Sequence, residues 1–469
     1  MMMSIRTAAL AALVAASGVS CSRAPSSTAP TTPTTATGAA AAPAPPPDAG
    51  AAAGGPVFLE DDYAAAVAAA RASGKVVFVD AWAPWCHTCL SMQRDVLTRP
   101  ALAAFSDRVI FVAVDTDRPE NAAFLARFPV ALWPTFFLLD PADETPWAVH
   151  PGSMSLQETV RFIDDALAAR DPAKAADPQT RALRAAHAAL AAGEGDKAAG
   201  LYIEAATAAG PRRTEAILGA LRALPSPKHC VAFGLAHLRD VDHGGAPGDV
   251  AAAVLSCAGD LPAGDAARTQ ATDVVKARLL ELAATPAAGA SVDDRADVLA
   301  TLAGLHDDAG DQAASRAVHQ ARLALLEEDA ARADSVEGAR VHDYARMNSY
   351  LALGRGDDAV AMLTQRTQQL PTSYEAWARL ASTLHKLGRH DDAWVAVDRA
   401  IALAYGTRRL RYLTLKADIA AARKDIAGER AALQQLGDDG DRLPAALGAA
   451  AMVQKARARL QALPTPPAR

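Results

Sequence analysis

Val76-Val77-Phe78-Val79-Asp80-Ala81-Trp82-Ala83-Pro84-Trp85-Cys86-His87-Thr88-Cys89 is the stretch whose reading decides the fold. Val76 to Ala81 is a mostly apolar run of strand length. Apolar side chains at successive positions imply a sheet covered on both faces. After Pro84 comes a C-x-x-C pair, Cys86 and Cys89, opening a segment of helical composition that runs to about Leu97. Cys86 then stands at a helix N-terminus, where the dipole and free N–H groups lower a thiol's pKa and favour an exposed thiolate nucleophile. Cys89, one turn on, can resolve a mixed disulfide formed at Cys86. Asp80 lies on the strand leading into the pair, where a carboxylate is costly unless it has a task or a partner. Burial raises its pKa and lets it take the proton from Cys89.

Outward from this stretch, strands and helices alternate. Asp61 to Ala72 has helical composition and ends near Gly74; Val109 to Asp115 and Thr135 to Leu139 are apolar strands; Glu120 to Phe128 reads as a helix. Trp147 to His150 is a short fourth strand, and Leu156 to Ala169 a final amphipathic helix. In Trp133-Pro134-Thr135, a proline just before an apolar strand cannot donate to the ladder, which points to a turn or a cis bond.

Together, the stretch from Val79 to Cys89 and the later Trp133-Pro134-Thr135 resemble the thioredoxin superfamily. The resemblance implies a central mixed sheet flanked by helices. It also implies that Pro134 is cis and packs beside the cysteines, where with Trp85 and Thr135 it holds a substrate backbone. Lys75 to Asp140 is similar to the C-terminal periplasmic domain of the bacterial thiol:disulfide interchange protein DsbD. The shared features are the Asp six before the first cysteine, a Met-Gln helix after the second, the Val96-Leu97-Thr98-Arg99-Pro100 exit and the later Pro-Thr. Ala83-Pro84-Trp85-Cys86 is also seen in protein disulfide isomerases. DsbD carries an electron-delivering membrane domain, and no stretch here is long and apolar enough for one. Electrons therefore come from, or go to, another protein. The pair between the cysteines, His87-Thr88, tunes the potential: a cationic His87 stabilises the Cys86 thiolate, and an ionised Asp80 opposes it.

Beyond about Asp171 the sequence reads as helices only. Arg340 to Pro371 and Tyr374 to Leu403 repeat at a spacing of 34. Trp377, Leu380, Gly388, Ala393, Val397 and Ala400 fill the tetratricopeptide positions, with Tyr350, Gly354, Ala359, Leu363 and Pro371 at matching places. Thr180 to Pro211 fits more loosely, and Val298 to Ala321 and Leu413 to Leu433 more weakly still. Such arrays leave a concave surface for a protein or peptide.

The chain has 469 residues, too many for one ordinary core, and a net charge of −6 that gives no reason to expect a nucleic-acid partner. Arg6, the apolar Ala8 to Ala16 and the small residues Ser17 to Ser20 read as an export signal. Cys21 follows directly and resembles the lipidated cysteine of bacterial lipoproteins, although Gly18 stands where that family usually has Leu. Ser22 to Pro56, nearly free of charge and large apolar groups, reads as a flexible tether. The expected organisation is a signal over 1–21, a linker over 22–56, an α/β thioredoxin-like domain over 57–170 and an all-α tetratricopeptide-like domain over 171–469.

Cys230 and Cys257 lie on neighbouring helical segments, Lys228 to Arg239 and Asp249 to Cys257, joined by a glycine-rich loop, Gly244 to Gly248. An oxidising compartment favours a structural bridge between them. Zinc needs four ligands, and His150 is alone in its domain; haem attachment needs a His after Cys89, where Leu90 stands. His187, His319 and His385 read as surface or packed helix residues. No cofactor or metal is expected. The function read from these residues is an extracytoplasmic thiol-disulfide oxidoreductase. Its partners are protein thiols and disulfides, a separate redox partner, and a protein or peptide on the repeats; it meets a membrane only through a lipid anchor. The alternatives are a binding scaffold dominated by the repeats and a dedicated reductant for cytochrome c maturation.

Overall fold

A computed structural model describes residues 54–464 apart from 169, 171–176, 209 and 211. Cys21, the export signal and nearly all of the tether lie outside the described residues. No helix among them is long and apolar enough to cross a membrane.

The first unit is a five-stranded mixed sheet in the order β1-β3-β2-β4-β5. Its strands are β1 (Phe58–Glu60), β2 (Val76–Trp82), β3 (Val109–Asp115), β4 (Thr135–Leu139) and β5 (Pro146–Pro151). β1, β3 and β2 run parallel; β4 pairs antiparallel with β2, and β5 antiparallel with β4. The alternation of β2 explains its unbroken apolar run. Val76 and Phe78 pack with Phe111, Phe136, Leu138 and Ile163 on one face. Val77 and Val79 pack with Val112, Phe124, Phe137 and Leu139 on the other. Asp80 continues the Val76–Phe78 face and is 1% exposed.

α1 (Tyr63–Ser73) is capped by Asp62, whose side chain accepts the Ala65 N–H, and stops at Gly74 in the left-handed region, φ +67°. α2 (His87–Met92) begins at Cys86 and passes into one π-type turn, Gln93–Leu97. The helix expected from Cys86 to Leu97 is thus regular only over its first half. α3 (Pro100–Ala103) follows. The expected helix from Glu120 begins as a 3₁₀ turn, Pro119–Asn121, and continues as α4 (Ala122–Arg127). α5 (Leu156–Ala168) packs Phe162 and Ile163 on the Phe78 side.

The second unit is built of helices over its described residues, apart from one isolated β-bridge between His243 and Ala288. The expected repeats are helix pairs: Asp343–Ala352 with Gly356–Gln369, and Tyr374–Lys386 with His390–Leu403. Gly354 and Gly388, both at positive φ (+74° and +77°), end the first helix of each pair. Pro178–Ala191 with Gly195–Thr207, Val292–Asp308 with Gln312–Arg332, and Gly406–Ala422 with Ile426–Asp441 form further pairs. Cys230 and Cys257 are bonded, with Cα atoms 6.1 Å apart, between the helices Pro227–His237 and Ala246–Gly259. The glycine-rich segment between them is only partly loop, because Ala246, Pro247 and Gly248 form the first turn of the second helix.

The array lies against the sheet unit. Arg212, paired with Glu215 at 2.8 Å, reaches the Trp147 carbonyl on β5, and Arg222 donates to the Pro151 carbonyl at 3.0 Å. Ser153 donates to Asp294 at 2.6 Å. Arg94, just after α2, pairs with Asp329 at 2.8 Å. Past β3, Tyr405 donates to Asp115, and Gly406 packs on the Asp117 carbonyl.

Candidate active site

Cys86 and Cys89 are disulfide-bonded, with Cα atoms 5.2 Å apart. Cys86 caps α2, and its Sγ accepts the Cys89 N–H at 3.0 Å. That amide is one of the donors a helix start leaves free, and it favours negative charge on Cys86 sulfur once the disulfide is opened.

Asp80 stands on β2, six residues before Cys86, with its side chain buried. Gln93 Nε2 donates to its Oδ2 at 3.3 Å, and its Oδ1 is buried with no hydrogen-bond partner. Burial is the main cause that pushes this carboxyl up to about 7; the Gln93 hydrogen bond works the other way, and the charge of Glu60 adds to the rise. A carboxyl in that range can both accept and release a proton near neutrality.

The Trp133–Pro134 peptide is cis, and Pro134 is buried at the head of β4. Thr135 is buried, with its hydroxyl donating to the Leu132 carbonyl at 2.6 Å. The Trp133 and Trp85 rings lie 5.2 Å apart and, with Trp82, pack around Cys86 and Cys89. Trp133 Nε1 donates to Thr116 at 2.7 Å, and Trp85 Nε1 to Asp117 at 2.6 Å, which fixes both indoles.

The thiol pair is less exposed than the sequence reading supposed: Cys86 is 5% exposed and Cys89 0%. The indoles cover it, and the array in turn contacts the residues on both sides of Cys86. On one side, Arg408 lies 3.7 Å over the Trp85 ring, and Arg379 donates to the Trp85 carbonyl at 3.5 Å. On the other, His87 Nδ1 lies 2.9 Å from Asp293 Oδ1, and its ring stacks on Tyr344 at 6.1 Å and 16°. Burial alone would lower the pKa of His87, but the charges of Asp293 and Asp297, with the Asp293 hydrogen bond, hold it up at about 9. His87 is therefore cationic at neutral pH. Thr88 Oγ1 is 3.4 Å from His87 Nδ1.

His87, Asp293 and Asp297 are the one group of His, Cys or acidic residues among those described whose ligand atoms converge, within 4.8 Å, as a metal site would require. Arg322, 3.8 Å from Asp297, and the His87 imidazolium supply the positive charge there, so the group reads as an ion-pair cluster. His150 is buried against the Ser153 carbonyl at 3.1 Å, and His187 lies 3.2 Å from Glu215.

Asp293, Tyr344, Arg379 and Arg408 are the site residues that the sequence reading missed. They come from helices more than 200 residues away, and the only local signal is charge at positions that a helical pattern assigns to the inside.

Residues 59–141 match the thioredoxin-like family model, and residues 350–419 match the tetratricopeptide repeat model. The chain carries a thioredoxin-like domain followed by tetratricopeptide repeats. The chain is similar to protein disulfide-isomerase 1 of Dictyostelium discoideum, 29% identical over 92 residues. That stretch is 19% of this chain and only a quarter of the relative's length. The chain is similar to a solved tetratricopeptide repeat protein from Parabacteroides merdae, at 9% identity and a TM-score of 0.39, over 59% of this chain and 99% of that one.

Proposed function

We propose that the protein is a thiol-disulfide oxidoreductase that uses Cys86 as nucleophile and Cys89 as resolving thiol. The observation that carries this reading is the placement of Cys86 at the start of α2 with its sulfur on the Cys89 amide, and the buried Asp80 on the strand leading into it supports it. In the reducing direction, the Cys86 thiolate attacks a substrate disulfide, and a mixed disulfide forms as the first substrate thiolate leaves. Asp80 takes the Cys89 proton, Cys89 sulfur attacks Cys86 sulfur, and the second substrate thiolate departs. The oxidising direction runs the same steps backwards. His87 and Thr88 tune the balance, and Trp85, Pro134 and Thr135 border the substrate. The Cys230–Cys257 bridge, remote from these groups, braces the array.

The export-signal pattern ending at Cys21 supports a finer reading: the enzyme works outside the cytoplasm, in the periplasm or cell envelope, held by a lipid on Cys21. A disulfide in the array fits such a compartment. Metabolic labelling with palmitate, abolished in Cys21→Ser, tests this; unlabelled wild-type protein contradicts it. Electrons then pass between Cys86–Cys89 and a partner protein, and the repeats offer surface for that partner or for a client. A pure binding scaffold is the competing reading. Catalysed reduction of a model protein disulfide by dithiothreitol separates the two. Cys86→Ser should lose two or more orders of magnitude in rate; a variant as active as wild type refutes the enzyme.

A further inference from the structure

We propose that the repeat array makes the thiol site selective for disulfides that carry carboxylates, through a wall of arginines on the Trp85 side of Cys86. The inference rests on the thiol-disulfide reading and names the substrate class for it.

Two of these arginines touch the site. Arg408 lies 3.7 Å over the Trp85 ring, and Arg379 donates to the Trp85 carbonyl at 3.5 Å. Arg340 and Arg411 stand within electrostatic reach of them: after burial, Arg379 is the largest influence lowering Arg340, and Arg408 the largest lowering Arg411. The carboxylates facing this wall are Asp117 and Glu375, and both are already engaged. Asp117 accepts from Trp85 at 2.6 Å and Thr407 at 3.2 Å, and Glu375 accepts from Tyr412 at 2.6 Å. Their distances to Arg408 Nε and Arg379 Nε are 3.5 Å, and neither contact is a hydrogen bond. The buried Nε atoms of Arg340, Arg379 and Arg408 have no hydrogen-bond partner. Of the other acids near Arg340, Asp343 is held by Arg366 at 2.6 Å, and Glu337 is exposed.

Four guanidiniums face three carboxylates, Asp117 and Glu375 paired with Arg408 and Arg379 and the exposed Glu337 near Arg340, which leaves an excess of positive charge beside Trp85 in a chain whose net charge is −6. The His87 side differs: Asp293 and Asp297 there face the His87 imidazolium and Arg322, so charge is balanced. Like charges held together and partly removed from water are costly, and a carboxylate placed among them relieves that cost. The planar donor fork of Arg suits a carboxylate. A carboxylate near the reacting sulfur of a substrate, in a small peptide thiol or an acidic protein segment, meets the wall as Cys86 attacks.

Cys86 thiolate forms a bond to one sulfur of the anionic disulfide as the substrate S–S bond breaks. Cys89, deprotonated, then attacks Cys86 sulfur, which breaks the mixed disulfide and releases the second substrate thiolate. Two electrons pass from the dithiol to the substrate, whose two thiolates take up the protons given up by Cys86 and Cys89.

The test uses the full-length protein, reduced with dithiothreitol and freed of it. Oxidation is followed with glutathione disulfide (anionic), hydroxyethyl disulfide (neutral) and cystamine (cationic). Each rate is divided by that of the same disulfide with 2-mercaptoethanol to remove intrinsic reactivity. The normalised rate should favour glutathione disulfide over cystamine by about tenfold or more, and the margin should shrink as salt rises. Arg411→Met, at an exposed position, should narrow that ratio. Disulfide-linked peptides with Glu or Lys flanks form a second arm: a Glu preference there points to acidic protein segments, and a preference confined to glutathione disulfide points to a small thiol. Equal normalised rates, or a cystamine preference, overturn the inference while leaving the thiol chemistry intact. Failure of every disulfide to oxidise Cys86 and Cys89 overturns the oxidoreductase reading itself.

Discussion

Asp80 occupies a position where an apolar residue would pack better, on the buried face of β2 with one carboxylate oxygen unpartnered. A group held in that state trades stability for a task. Its carboxyl titrates near 7 in the folded chain and near 3.8 when unfolded, so the folded form binds the proton more tightly. Stability therefore falls as pH rises from about 4 to about 7, where Asp80 must ionise without its solvent. Asp80→Asn removes that loss and should raise the unfolding free energy at pH 8 by up to about 4 kcal/mol. The same variant should slow the resolving step. Denaturant unfolding of both proteins at pH 5 and pH 8, beside release of a Cys86 mixed disulfide, checks both; a variant no more stable than wild type at pH 8 and unimpaired in resolution contradicts the assignment. Asp80 was legible in the sequence because an acid inside Val76–Trp82 stands out. Asp293 was not: it meets His87 across 206 residues, and no local pattern pairs them.

Among the elements, apolar runs were the readable ones. Val109–Asp115 and Thr135–Leu139 fall where their composition put them, because strands covered on both faces leave a continuous signal. β1 escaped notice: at three residues it is too short for any period, and it exists by pairing with β3. The π turn at Gln93–Leu97 has no Pro or Gly to announce it. The start of the helix Gly406–Ala422 is another feature that only packing reveals. Gly406 has φ +52°, and a Cβ there would collide with the Asp117 carbonyl, beside the Trp85 anchor. Gly406→Ala should destabilise the chain by roughly 1–3 kcal/mol and loosen the array over Trp85. Faster alkylation of reduced Cys86 in this variant is the expected readout; unchanged stability and alkylation would show that the array does not cover the site.

At the scale of the whole molecule, the sequence supported two units and the helical-repeat character of the second, because turn glycines and small residues recur at fixed spacing. How the units meet was not legible, since it depends on ion pairs and aromatic contacts between distant segments: Arg94 with Asp329, His87 with Asp293, Arg408 over Trp85. These contacts make the array a wall of the thiol site as well as a surface for partners. The proposed function requires Cys86 and Cys89 to be a redox pair within that enclosure. Its most direct test is equilibration of the full-length protein in glutathione buffers of graded potential, with thiol trapping and mass analysis of each cysteine. Cys86 and Cys89 should open and close together in one two-electron transition while Cys230–Cys257 stays oxidised. A Cys86–Cys89 pair that never changes state across that range, or that opens only together with Cys230–Cys257 on unfolding, would contradict it.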